Sequence, residues 1–145
     1  GFTIPTLADE SYKQILEHFN IVGSTYANPI EGRTLADPVH MNNVLDVLDN
    51  DPNVDIIVHE VQVGRRNDRL SIYRGHGTDI FCEFQARAKK PYMVLLSTTF
   101  PYPTPEDRET VYNELTSAGI PTVFGMGTAA GALRKFVDYY QNQQA

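Results

Sequence analysis

The strongest constraint on this chain is three mostly apolar runs of strand length, each set between helical patterns. Residues 54–61 read Val-Asp-Ile-Ile-Val-His-Glu-Val, residues 91–97 Pro-Tyr-Met-Val-Leu-Leu-Ser, and residues 120–125 Ile-Pro-Thr-Val-Phe-Gly. Continuous runs of this kind suit parallel strands buried on both faces. Ile21–Ala27 is a weaker strand candidate. Between the runs the spacing turns helical. Asp37-Pro38 is a cap followed by proline at the first helical position, and Met41, Val44, Leu45 and Leu48 then fall on one face. Thr104-Pro105-Glu106-Asp107 opens a second helix in the same manner, which Ala118-Gly119 ends. Ile80, Phe81 and Phe84 mark a helix between Thr78 and Ala88, residues 7–19 mark another, and Thr128 is the expected cap of the last. From residue 37 onward the order is α-β-α-β-α-β-α. That order predicts a three-layer, flavodoxin-like open parallel sheet with helices on both faces and right-handed crossovers. Such a sheet normally opens on a central apolar strand and a tight glycine turn. Nothing before residue 20 has that character, so the first strand is expected to be missing.

A length of 145 residues suits one domain, taken here as 1–145, with an apolar fraction of 41% sufficient for a core. The net charge of −6 argues against a nucleic-acid or anionic-membrane partner. No apolar run approaches the ~20 residues that span a bilayer, and Gly1–Pro5 lacks the basic start of a secretory signal. The single cysteine, Cys82, excludes an internal disulfide and fits a reducing cytoplasm. No His-x-x-x-His or Cys-x-x-Cys spacing occurs, so no metal site is expected.

Ligands of open parallel sheets bind beyond the C-terminal strand ends. Three loops are candidates: Asn28–Arg33, Gly64–Thr78 and Ser97–Pro105. The second carries Arg65, Arg66, Arg69 and Arg74, four of the chain's 12 basic residues, then Gly75, Gly77 and Thr78 at a helix start. Free N–H groups and the positive dipole end favour an anion there, and glycines permit close approach. A solvated arginine loop before an ordinary helix would carry the same residues. His76 is either catalytic or an exposed loop histidine, while His59, inside a strand, reads as packed and His18 and His40 as surface helix positions. Cys82 reads as core, and Asp49 and Asp51 as a helix exit. Ser24 and Ser97 lack a nucleophile-elbow context. Phe100, Tyr102 and the prolines around them form a stiff loop suited to packing against another domain.

The order of several motifs resembles one family. These are Asn28-Pro29, then Asp51-Pro52-Asn53-Val54-Asp55 before a strand, Lys90-Pro91 before the next, and Ala118–Phe124 before Ala129-Ala130-Gly131-Ala132-Leu133. Together they resemble the CoA-ligase, flavodoxin-like domain of the NDP- or ADP-forming acyl-CoA synthetases, relatives of succinyl-CoA synthetase. The resemblance covers nearly the whole chain. It implies an acid–thiol ligase that works through an acyl phosphate and a phosphohistidine. CoA, ATP and Mg would serve the full enzyme, with no cofactor bound by this domain alone. The family's phosphorylated histidine would follow the 91–97 strand. Here Ser97-Thr98-Thr99-Phe100 stands there, and Gly75-His76-Gly77-Thr78 imitates the motif one strand too early. The chain therefore resembles the partner domain, whose helix N-terminus stabilises the phosphohistidine of its neighbour. By order, that helix begins near Thr78. The implied phosphate-binding residues are Gly64, Arg65, Arg66, Gly75, Gly77 and Thr78, with Asn28 on a neighbouring loop. No catalytic residue is implied. The implied partners are the phosphohistidine/CoA-binding and ATP-grasp domains, in an oligomer. The family pattern also places a strand, a glycine turn and a helix ahead of Gly1, so the chain is expected to be a piece of a larger synthetase, inactive alone. A docking or assembly module is the alternative. A stand-alone binder of FMN or cobalamin would need a Ser/Thr-rich phosphate loop after a first strand, which the sequence lacks.

Overall fold

A computed structural model describes residues 2–18, 24–32, 37–64, 78–98 and 102–143. The elements run α1 (Asp9–His18), α2 (Pro38–Asn50), β1 (Ile57–Val63), α3 (Asp79–Arg87), β2 (Tyr92–Thr98), α4 (Pro105–Ser117), β3 (Thr122–Phe124) and α5 (Met126–Gln143). Local chemistry sets their ends. The Asp37 carboxylate accepts from the amides of Val39 and His40 at 2.9 and 3.2 Å, and Pro38 occupies the first turn of α2. Thr104 and Asp107 form a reciprocal capping box at the start of α4, with both bonds near 3 Å. Gly119, at φ +79°, turns the chain out of α4 in the left-handed region that side chains avoid.

The three strands form a parallel sheet in the order β1-β2-β3. Ile57 pairs with Tyr92 and Val63 with Thr98, while Leu96 pairs with Phe124. This is the α/β open parallel sheet expected from the sequence, with helices on both faces. The two faces are unequal. Ile57, Val61, Val63, Tyr92, Val94 and Leu96 join one large core with residues of α1, α2, α3 and α4, Phe81, Phe84, Val111 and Leu115 among them. On the other face, among the described residues, Met93 and Leu95 meet a smaller cluster, Ala129 with Val123, Ala132 and Leu133, contributed by β3 and α5.

Several boundaries differ from the sequence reading. The first strand begins at Ile57 rather than Val54, because Pro52 and Asn53 form a turn fastened by Asp51. β2 is buried from Tyr92 through Leu96, as a doubly covered strand should be. β1 is not. Val58, Glu60 and Gln62, which pair with Met93, Leu95 and Ser97 and so share the α5 side, are exposed. Helix α5 starts at Met126, behind Gly125 at φ +81°, and Thr128 lies inside its first turn instead of capping it. Within the weaker candidate Ile21–Ala27, Thr25 forms an isolated antiparallel bridge with Glu31, and residues 21–23 lie outside the described residues. Among the described residues no helix is long and apolar enough to cross a membrane.

Candidate functional site

The C-terminal strand ends gather Gly64, Ser97, Thr98 and Gly125 at one edge of the sheet. Gly64 directly follows β1 and is buried. Thr78 directly precedes α3 and is 8% exposed. Its backbone is helical (φ −92°, ψ −9°), and its carbonyl accepts from the amides of Phe81 and Cys82. Its hydroxyl does not cap the helix. It donates instead to Glu114 Oε2 of α4 at 3.0 Å. The start of α3 thus has two carboxylates close by, Asp79 in the first turn and Glu114 across from Thr78. Both complement the positive end of the helix dipole. Sequence reasoning missed Glu114, since its meeting with Thr78, 36 residues away, depends on tertiary packing. Ser97, on the α5 side of β2, holds a buried hydroxyl with no hydrogen-bond partner among the described residues.

Of the other expected phosphate ligands, Arg65, Arg66, Gly75 and Gly77 lie outside the described residues, as does His76. Asn28 is placed differently from Gly64 and Thr78. It precedes a cis peptide to Pro29, and its amide nitrogen donates to the Pro5 carbonyl at 3.1 Å. The adjoining segment is tied to the turn that leads into β1, through Asn53 to the Thr6 carbonyl and the Ala8 amide to Asp51. These bonds attach Asn28 to the end of the sheet where β1 begins, whereas Gly64 stands where β1 finishes.

That opposite end is organised by Asp49 and Asp51, which the sequence suggested were only a helix exit. Asp49 accepts from the amides of Lys89 and Lys90 at 3.0–3.1 Å, closing the turn into β2. Asp51 is 1% exposed and accepts from the amides of Ala8 and Asn53 at 2.9 and 2.7 Å. Burial pushes its carboxyl up, but hydrogen bonds from Ser11, Ala8 and Asn53 and the charge of Lys90 outweigh this and hold it below the ordinary carboxylate value. The Lys90 ammonium donates to the carbonyls of Leu48 and Asp51. Every partner is structural, so this cluster reads as a fastening, not a reaction centre.

His59 is half-buried, as expected for a packed strand residue. Its Nδ1 lies 3.0 Å from the Tyr92 hydroxyl and its ring meets Phe81 edge-on. Burial, then the nearby Cys82, drives the Tyr92 phenol well above its usual range. Cys82 packs against the core half-buried, and burial, then Asp79, raises its thiol, which is opposite to the activation a nucleophile needs. His18 and His40 are half-buried and meet edge to face at 5.6 Å. Between α1 and α2 lies a shallow polar groove of about 390 Å³, lined by Gln14, Glu17, His18, Asn43 and Asp46 among others. Among the described residues no group of three or more His, Cys, Asp or Glu side chains could hold a metal ion. In the third candidate loop Tyr102 is 67% exposed, while Phe100 and Pro101 lie outside the described residues.

No family model and no curated protein matches the chain. Among solved structures it is similar to the crystal structure of PH0766 from Pyrococcus horikoshii OT3, at 18% identity and a TM-score of 0.61. The match covers 84% of this chain and 26% of that one, so the chain spans about a quarter of the longer protein. At that identity the likeness establishes the α/β fold.

Proposed function

We propose that this chain serves as a flavodoxin-like domain of an NDP-forming acyl-CoA synthetase, where it steadies a phosphoryl group in transit to or from a histidine of a neighbouring domain. The observation that carries the reading is the placement of Gly64 and Thr78. They bracket the arginine-rich segment 65–77 and stand at the end of a parallel strand and the start of the following helix. Parallel sheets take ligands at that edge, and helix N-termini attract anions. Phosphoryl transfer asks a protein for position and preorganised positive charge more than for covalent chemistry. The electrostatic balance is specific. Asp79 and Glu114 offset much of the dipole of α3, so the attraction must come mainly from Arg65, Arg66 and their neighbours in the same segment. Asn28 takes no part, being attached at the opposite end of β1. CoA, ATP and Mg would be held by the partner domains rather than by this chain.

The test is alanine at both Arg65 and Arg66 in the full-length protein that carries this chain. Acid-labile labelling from γ-labelled ATP should fall at least tenfold while oligomeric state stays unchanged. Undiminished labelling and turnover would refute the reading.

A second reading, a docking module without a part in the chemistry, is favoured by one observation. Apolar surface stays exposed: Tyr102 before α4, Val58 on β1, and Phe136, Tyr139 and Tyr140 on α5. On that reading the same double variant keeps full turnover, and Tyr102→Ala weakens assembly.

A further inference from the structure

We draw no further inference here: the strongest candidate, the uncovered α5-side face of β1 around Val58, is an unpartnered sheet face, and nothing in the structure shows what covers it.

Discussion

Asp51 converts a stretch of coil into a fixed corner, because one buried carboxylate satisfies two backbone amides from segments 43 and 2 residues away. Its folded-state pKa lies below the ordinary value. Its contribution is therefore complete above pH ~4 and is lost as the pH falls through the depressed folded value. Asp51→Asn should cost about 2 kcal/mol at pH 7, the usual penalty for leaving buried donors poorly matched. Urea denaturation at pH 7 and pH 3 checks this, and the gap between variant and parent should narrow in acid. Glu114 gives a second prediction at this scale, one that depends on the proposed function. Neutralising a carboxylate close to a bound anion in a partly solvated setting contributes about 1 kcal/mol, or roughly fivefold. Glu114→Gln should thus tighten inorganic phosphate binding by that factor in titrations followed by amide NMR shifts of Thr78 and Asp79. Weaker binding would show that Glu114 supports the site. Neither residue's role was legible in the sequence. An acidic side chain at a helix exit looks the same whether it faces water or two amides, and only packing decides which.

At the level of single elements, the signals that were legible are those with local causes. Asp37-Pro38 and the Thr104–Asp107 box start their helices where the sequence places them, since cap and amide are three residues apart at most. Thr104→Ala should lower stability by about 1 kcal/mol in thermal or chemical melts. Gly119 and Gly125 hold positive φ, and an added Cβ at either would meet nothing within 4 Å. Alanine there should cost about 1 kcal/mol, a penalty from backbone conformation alone. A larger loss would mean that the helix ends themselves shift. The start of α5 was misread because a threonine two residues past Met126 looks like a cap, whereas the left-handed glycine before it makes the turn. The reading of β1 as doubly buried failed for another reason. Val54, Ile56, Ile57 and Val58 make an apolar run, but the run straddles the turn and the strand start, and the strand proper alternates.

Across the whole molecule, stability centres on β2, whose two faces and two edges are all engaged within the sheet and its helices. Leu96→Ala, in the larger core, should cost 2–5 kcal/mol by the usual range for emptied leucine sites. Val58→Thr should change stability by about 0.5 kcal/mol or less, since that side chain already faces solvent. Comparing their urea midpoints tests the uneven distribution of core between the faces. The same unevenness governs how the chain would yield under load. Only Ala129 of the eighteen residues in α5 is fully buried, and the Arg134–Asp138 pair on its surface is internal to the helix. Pulled from its C-terminal end, the molecule should therefore let α5 peel away as a separate low-force event, before the three strands shear apart together.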